Sequence, residues 1–338
     1  MQLLNSIILF ATETSIVVIA ILIVLSAIAL LILRGRLKPE IEVEDLTENF
    51  KRFKKILEFE LLDKKKLKQK AKEAKKKEKL QKKSETSKKK IFVLDFEGDL
   101  KASAAESLRQ EISAILQVAG EQDEVVLRLE SPGGLVTGYG LAASQLMRVR
   151  AKSIPLSICV DKVAASGGYM MACVGNKIIA APFAILGSIG VVASLPNFHK
   201  LLQKHDVEYQ EVTAGEYKRT VSLFGEITDK GMQRFKSQLE DTHTLFKSFV
   251  SHNRPKLDLS VVATGEHWYG TQALELGLID HIQTSDDYLM AHAQDAQILK
   301  VTYHVKKKLS ERLSGGFSQV FNLCLEKIFH KNQSSPLY

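Results

Sequence analysis

The stretch "EVVLRLESPGGLVTGYGLAASQLM", residues 124–147, changes its pattern halfway along. Its first seven residues are rich in Val and Leu, which is typical of a buried strand. Its last residues place the apolar side chains of Leu141, Ala142, Leu146 and Met147 at helical spacing. Ser-Pro-Gly-Gly, residues 131–134, separates the two parts. The stretch therefore predicts a strand, a glycine-rich turn and a helix.

The same alternation extends over the sequence around this stretch. Residues 91–96, 154–160 and 176–181 are further strand candidates, and residues 104–116 carry apolar side chains at three- and four-residue steps. Strands that alternate with helices predict an α/β domain with a largely parallel sheet. Reactive groups in such sheets gather where strands end and helices begin.

A second glycine-rich joint, "DKVAASGGYMMA", occupies residues 161–172. Ser166 lies between an apolar run and a predicted helix that starts with Gly167. A serine at that place commonly caps the helix, and it can also be a nucleophile. The nucleophile elbow Gly-x-Ser-x-Gly fits imperfectly, because residue 164 is alanine. The residues alone leave both roles open.

The first glycine-rich joint, residues 130–140, also has two interpretations, a functional one and an ordinary structural one. Gly133 and Gly134 permit backbone angles closed to other residues, and free N–H groups at the helix start suit an oxyanion. The ordinary alternative is a Pro-Gly turn. A phosphate-binding loop is excluded, because no Gly-Lys-Ser/Thr follows and the glycine spacing is not that of a dinucleotide site.

The net charge of +8 comes from one segment. Residues 64–90 contain fifteen lysines and three glutamates, a net charge of +12, so the rest of the chain carries about −4. The segment has no aromatic residue to stack on a base, which argues against nucleic-acid binding. A lysine tract near an apolar segment is more typical of contact with anionic lipid headgroups.

Residues 14–33 form an apolar run without a charge, long enough to span a hydrocarbon core of about 30 Å. No Lys or Arg precedes the run, and Arg34, Arg36 and Lys38 follow it, so we expect an uncleaved anchor and no signal peptide. Positive flanks favour a cytoplasmic C-terminal domain. A second apolar region, residues 178–196, is broken by proline and glycine and predicts buried strand and loop.

These patterns divide the chain into an N-terminal tail (1–13), a transmembrane anchor (14–33), a basic linker (34–90), a folded domain (91–302) and an amphipathic C-terminal extension (303–338). Cys159, Cys173 and Cys324 have no paired spacing. We expect Cys159 and Cys173 to be buried free thiols. Nothing in the sequence predicts a metal or cofactor site.

Five motifs occur in order: SPGG (131–134), ASGGYMMA (165–172), GSIGVV (187–192), GEYK (215–218) and GEHWYGTQALELGLID (265–280). Together with the apolar run and the lysine tract, they resemble the signal peptide peptidase A family of membrane-bound serine proteases. The resemblance implies a Clp protease/crotonase-like fold of repeated ββα units. It also implies that Ser166 is the nucleophile, Lys218 its general base, and Gly133, Gly134 and Gly167 the oxyanion hole.

A Ser-Lys pair is chemically sound. A serine hydroxyl needs a base, and a solvated lysine, with a pKa of about 10.4, is almost fully protonated at neutral pH. Burial favours the neutral amine. We expect Tyr217, Val221, Leu223 and Phe224 to supply the apolar surroundings of Lys218.

Several alternatives stay open at this point. A crotonase-type acyl-CoA enzyme would share the fold without needing Ser166 or Lys218, and a non-catalytic scaffold would bind peptides without cleaving them. A Ser-Asp-His esterase stays open because Asp and His residues are available, but the sequence gives no reason to choose any pair of them. A Clp-type protease needs a histidine, and the first one after Ser166, His199, lies in a predicted surface helix.

The resemblance further implies cleavage of short apolar peptides by ring-like homo-oligomers in the bacterial inner membrane. It places such proteases outside the cytoplasm, whereas the charges around the anchor favour the inside. The side of the membrane is therefore left open.

Overall fold

The computed structural model describes residues 40–63 and 88–305, together with residues 14–16, 18–19, 21–22, 26, 66–67, 69–70 and 72. The chain divides into two compact units, Val43–Thr302 and a unit of both termini, Met1–Glu42 with Tyr303–Tyr338. In the terminal unit, the backbone N–H of His304 donates to the carbonyl of Glu40 at 2.8 Å. The larger unit contains the strands and helices that form the core.

The predicted anchor lies mostly outside the described residues. Of residues 14–33, the described positions are helical. No helix within the described part of the chain is both long enough and apolar enough to cross a membrane. The anchor therefore stays a prediction. Most of the lysine tract and the amphipathic C-terminal extension, with Cys324, also lie outside the described residues.

Short strands and helices alternate along the described chain. The strands are β1 (Ile41–Asp45), β2 (Lys89–Glu97), β3 (Glu124–Glu130), β4 (Leu156–Val160), β5 (Val163–Ala165), β6 (Lys177–Ala180), β7 (Ile185–Gly187), β8 (His267–Tyr269), β9 (His281–Ile282) and β10 (Ala296–Tyr303). The helices are α1 (Leu46–Leu61), α2 (Ala105–Ile115), α3 (Val136–Arg150), α4 (Gly167–Ala172), α5 (His199–Lys204), α6 (Asp229–Asn253), α7 (Leu259–Val262), α8 (Gly270–Glu275) and α9 (Ser285–His292).

Two sheets organise these elements. Seven strands form a sheet in the order β1-β10-β2-β3-β4-β6-β9, in which the pairs from β10 to β9 are parallel. A smaller sheet has the order β5-β7-β8, with β5 and β7 parallel and β8 antiparallel. The predicted α/β domain with a largely parallel sheet is confirmed. In β4/β5 and in β6/β7, the first strand joins the large sheet and the second the small one, in agreement with ββα repeats.

The large sheet is buried on both faces, as parallel sheets generally are. On one face, Ile91, Val126 and Ile179 pack with Leu289 of α9, and Phe50 of α1 packs against them. Helices α2 and α3 cover the other face. Helix α1 therefore belongs to the larger unit, together with residues 43–45 of β1, although both elements lie within the predicted linker. The region 178–196 begins with buried strand, as predicted, and Cys159 and Cys173 are confirmed as buried free thiols.

A buried carboxylate joins three strands to α9. Glu124 of β3 accepts hydrogen bonds from Lys89 Nζ at 2.7 Å, Ser157 Oγ at 2.7 Å and Tyr288 Oη at 2.6 Å. Burial by itself raises the pKa of Glu124, but the three donors outweigh that effect and lower it below its ordinary value. The charged form is therefore the one that stabilises the fold.

We predict that Glu124→Gln lowers the free energy of unfolding at neutral pH by about 1–3 kcal/mol, because a buried acceptor site is lost. The wild-type advantage is present above the unfolded pKa of about 4.3 and is lost as pH falls through the lower folded pKa. Thermal unfolding of the full chain in detergent, followed by circular dichroism at several pH values, checks both effects.

The matched control is Glu106→Gln, a surface carboxylate paired with Arg109 on α2. It should leave unfolding almost unchanged. If the difference in unfolding free energy between wild type and Glu124→Gln did not shrink as the pH was lowered from neutral through the acid range, the proposed role of the charge would be wrong.

Candidate active site

Ser166 lies between the last residue of β5 and the first residue of α4. Its backbone angles are φ 53° and ψ −118°, which few residues other than glycine adopt. Its N–H donates to the carbonyl of Gly187 at 2.8 Å, and its carbonyl accepts from Met170 N at 2.9 Å. Strained backbone of this kind is concentrated at functional sites.

The hydroxyl of Ser166 does not cap α4. The side chain occupies the cap position but makes no capping hydrogen bond. The ordinary explanation for a serine at this place, helix capping, is therefore not realised in the structure. The side chain lies instead at the wall of a cavity.

The two glycine-rich joints meet at Ser166. Gly133 has φ 92°, and an ideal Cβ on it would lie 2.7 Å from the Cβ of Ser166 and 2.8 Å from Gly167 N. Beside them, Ser131 forms a parallel bridge with Ala164. The structure thus brings together the SPGG and ASGG motifs, which are thirty-odd residues apart in the sequence.

The three predicted oxyanion glycines are not equivalent. The N–H of Gly133 donates to Ser131 Oγ at 3.1 Å. Within residues 88–305, the N–H groups of Gly134 and Gly167 make no hydrogen bond. Gly134 and Gly167 also line the same cavity as Ser166. These two amides are therefore the available donors, and Gly133 contributes its unusual backbone conformation.

The cavity beside Ser166 is small and mainly apolar. Its volume is about 80 Å³. The residues that line it are Gly134, Val136, Ser166, Gly167, Met170, Gly190, Val191, Val192, Thr242 and Phe246. Sequence reasoning missed Thr242 and Phe246. Their spacing of four residues places both on one face of α6, but the sequence does not indicate which element α6 packs against.

Lys218 lies apart from this cavity in a single copy of the chain. It belongs to an irregular segment between α5 and α6, and its side chain is exposed. Among the described residues, its ammonium group makes no hydrogen bond to Ser166, and it does not line the cavity. The expected apolar enclosure is wrong for one copy, because Tyr217, Leu223 and Phe224 are themselves exposed.

The histidines near the site have other partners. His199 begins α5 at the surface, as predicted, and its Nδ1 lies 3.3 Å from the carbonyl of Phe224. His243 follows Thr242 in α6, and its Nε2 lies 3.2 Å from the carbonyl of Ile189. That contact holds the segment before the cavity residues Gly190 and Val191 against α6.

Comparison with known proteins gives a consistent result. The sequence matches Peptidase family S49 N-terminal over residues 2–146 and Peptidase family S49 over residues 148–299. It is 55% identical over 285 residues to the Probable protease SohB of Haemophilus influenzae, covering 81% of each chain. It is 53% identical over 247 residues to the Probable protease SohB of Buchnera aphidicola subsp. Acyrthosiphon pisum, covering 73% of this chain and 74% of that one.

The chain belongs to peptidase family S49. The predicted kinship is thereby confirmed, and the family supports a protease. The boundary between the two S49 matches falls inside α3, one turn before its end, so both matched regions contribute to the site. The N-terminal region supplies the Gly133 turn, and the second region supplies Ser166 and α6.

We predict that Gly133→Ala abolishes peptide cleavage by this S49 member. The new methyl group would overlap the Cβ of Ser166, and φ 92° is unfavourable for alanine. Turnover of a fluorogenic peptide and thermal unfolding should be measured on the same preparation.

Gly277→Ala is the matched control, because Gly277 has φ 76° but its nearest neighbour would be 3.8 Å from a new Cβ. It should lower stability through backbone strain alone and retain activity per folded molecule. Full activity in folded Gly133→Ala would show that the close approach to Ser166 is not required.

Proposed function

We propose that the chain is a serine endopeptidase in which Ser166 is the nucleophile. The observation that carries the proposal is the conformation of Ser166 itself: a strained serine, not used as a cap, beside an apolar cavity and two unpaired backbone amides. Attack by Oγ on a peptide carbonyl would form a tetrahedral intermediate and then an acyl-enzyme. The amine product leaves at that step, and water releases the acyl group.

The N–H groups of Gly134 and Gly167 are the proposed oxyanion donors. Both lie in the wall of the cavity that contains Ser166. Fixed donors aimed at the developing oxyanion lower the barrier because they need no reorganisation during the reaction. Gly167 is also the first residue of α4, where a helix leaves its N–H groups unpaired.

Lys218 is the proposed general base, which takes the proton of Ser166 Oγ and later delivers it to the leaving amine. Because Lys218 is exposed in one copy, the proposal requires a further step that brings its amine to Ser166 and removes water from it. We propose that assembly of several copies provides this step. The surface around Lys218 supports the idea.

Exposed apolar side chains are concentrated in residues 192–224. They are Val192, Leu195, Phe198, Leu201, Val207, Tyr209, Val212, Tyr217, Leu223 and Phe224. The rings of Phe198 and Tyr209 both contact Phe224, with centroids 6.0 Å and 5.7 Å apart. Exposed apolar clusters of this kind mark interaction surfaces. A homo-oligomer would cover this surface and enclose Lys218 at the same time.

The proposed substrates are short apolar peptides or unfolded segments near the membrane. The cavity beside Ser166 is lined by Val136, Met170 and Phe246, which favour an apolar side chain, and its volume is too small for an extended ligand. The chemistry requires no cofactor. We also propose that residues 14–33 anchor the chain in the bacterial inner membrane and that the lysine tract contacts lipid headgroups, with the side of the protease domain left open.

We predict that Ser166→Ala and Lys218→Arg each abolish peptide cleavage. The first removes the nucleophile. The second keeps a positive charge but replaces the base with a guanidinium, which does not accept a proton at working pH. The measurement is cleavage of a peptide library by the full chain in detergent, with fluorophosphonate labelling of Ser166.

Ser144→Ala and Lys204→Arg are the matched controls, on the exposed sides of α3 and α5. Both should cleave normally. Turnover by Ser166→Ala would reject the nucleophile, and near-normal turnover by Lys218→Arg would reject the base. Peptide binding without cleavage by the wild type would identify a scaffold, and thioester turnover that survives Ser166→Ala would identify an acyl-CoA enzyme.

Assembly can be tested separately at Val212, whose side chain is 97% exposed in one copy. We predict that Val212→Asp dissociates the oligomer and lowers activity at least about tenfold, because burying an unpaired carboxylate in an interface is costly. Light scattering in detergent gives the assembly size, and peptide cleavage gives the activity.

Val118→Asp is the control, since Val118 is also exposed but follows α2. It should leave both assembly size and activity unchanged. If Val212→Asp kept the wild-type assembly and activity, residues 192–224 would not be the interface.

A further inference from the structure

A chain of three hydrogen bonds leads from the Gly133 turn into the core. The N–H of Gly133 donates to Ser131 Oγ at 3.1 Å, and Ser131 Oγ lies 2.6 Å from Tyr139 Oη. Tyr139 Oη in turn donates to the backbone carbonyl of Asp99 at 2.8 Å. Ser131 and Tyr139 are both fully buried, with 0% of their surface exposed. The mechanism proposed above uses none of the four groups that these hydrogen bonds join.

The groups at the two ends of this series of hydrogen bonds determine which atom donates at each step. A phenol has one proton, and Tyr139 donates it to the Asp99 carbonyl, which can only accept. Ser131 must therefore donate its own proton to Tyr139, which leaves the lone pairs of Ser131 Oγ to accept from Gly133. Burial raises the pKa of Tyr139 above its ordinary value, so the phenol keeps its proton at neutral pH.

The loop at Asp99 and Leu100, in which the Asp99 carbonyl accepts the last hydrogen bond, is fixed by hydrogen bonds of its own. The carboxylate of Asp99 accepts hydrogen bonds from Ser103 Oγ at 2.6 Å and from the N–H of Lys101 at 3.1 Å. The carbonyl of Leu100 accepts from Leu135 N at 2.8 Å, on the far side of the glycine turn. The chain from Gly133 therefore ends on a fixed part of the backbone.

Tyr139 also touches the second joint. An ideal Cβ on Gly167 would lie 2.4 Å from Cγ of Tyr139, so the ring lies directly against the Gly167 backbone. A Cβ on Gly168 would lie 2.5 Å from the carbonyl oxygen of Ser131. The Ser131 backbone is paired with β5, accepting from Ala165 N at 3.0 Å. Tyr139 and Ser131 thus contact both turns that supply the proposed oxyanion donors.

We propose that Tyr139 is a positioning residue for the oxyanion hole, acting through Ser131 to fix the Gly133 peptide so that the next amide, Gly134, is presented to the cavity beside Ser166. The inference rests on the proposed serine-protease function. Two successive glycines have wide backbone freedom, and Gly133 is at φ 92°. The Ser131 hydroxyl is the side-chain acceptor that holds the Gly133 N–H, and Tyr139 fixes the orientation of that hydroxyl.

Tyr139→Phe tests the proposal, because it removes the hydroxyl and keeps the ring against Gly167. Complete loss of one oxyanion donor costs about 10²–10³ in kcat, and a misaligned donor should cost less, so we expect kcat to fall about tenfold to a hundredfold. KM should change less than about twofold, because the ground-state contacts are unaffected. The double variant Ser131→Ala/Tyr139→Phe should be no worse than Ser131→Ala alone, since both break one chain.

Tyr288→Phe is the matched control, a buried tyrosine that loses its hydrogen bond to Glu124 on the other face of the sheet. It should keep wild-type kcat even if its unfolding temperature falls. If folded Tyr139→Phe keeps kcat within about twofold of wild type, or if the two single effects multiply in the double variant, the proposal is overturned. Should Tyr139→Phe fail to fold, Ser131→Ala carries the same test.

Hydrogen exchange of the full chain separates this proposal from the protease function. Tyr139→Phe should raise exchange of the Gly133 amide at least about tenfold while the core strands stay protected. Unchanged exchange at Gly133 would reject the positioning role, whatever the activity. Raised exchange in a protein whose wild type cleaves no peptide would reject the protease function and leave the positioning of the turn intact.

Discussion

The active-site geometry depends on the absence of a Cβ at residue 133. An ideal Cβ there would lie 2.7 Å from the Cβ of Ser166 and 2.8 Å from both Ala165 O and Gly167 N. Real side chains do not come that close, so only glycine allows the two turns to meet. The close packing of the Gly133 turn against residues 165–167 therefore fixes the distance between the proposed nucleophile and the proposed oxyanion donors.

The parallel sheet explains why these two turns meet at all. Strands β3 and β4 are neighbours in register, with Val125 opposite Leu156 and Arg128 opposite Cys159. Parallel neighbours end at the same edge, so the segments that follow them leave the sheet side by side. Ser131 and Ala164 then form one more bridge before each of the two segments enters its helix, α3 or α4. Residues distant in sequence thereby line one cavity without any long connecting loop.

The sequence predicts the parts of this arrangement that depend on local pattern. The strands from residues 91, 124, 154 and 176 were predictable because their Val, Ile and Leu runs are buried on both faces, and the Ser166 joint because glycine marks it. Strands β5, β7 and β8 are three residues each, too short to show a period. Phe246 contacts the cavity only through the packing of α6, which local spacing does not encode.

Lys218 illustrates a different limit. Its motif is recognisable, but its surroundings in one copy are exposed, because the apolar residues beside it in the sequence do not fold over it. The segment around Lys218 is irregular, so no helix or strand face groups its apolar neighbours around the lysine side chain. Residues 192–224 carry ten apolar side chains that stay exposed within the described part of the chain. That is the composition expected of a surface that is completed by another molecule.

The small sheet supports the strained backbone conformation of Ser166. A non-glycine residue at φ 53° and ψ −118° costs on the order of 1–3 kcal/mol and persists only when its surroundings hold it. Strand β7 provides that support, because Ala165 pairs with Gly187 and the Gly187 carbonyl accepts the N–H of Ser166 at 2.8 Å. Gly187 has φ 94°, and a Cβ on it would lie 2.7 Å from the ring of Trp268 in β8. In the small sheet, Trp268 therefore packs against Gly187, and Gly187 is hydrogen-bonded to Ser166. These contacts hold Ser166 in a backbone conformation that an unsupported turn would not keep.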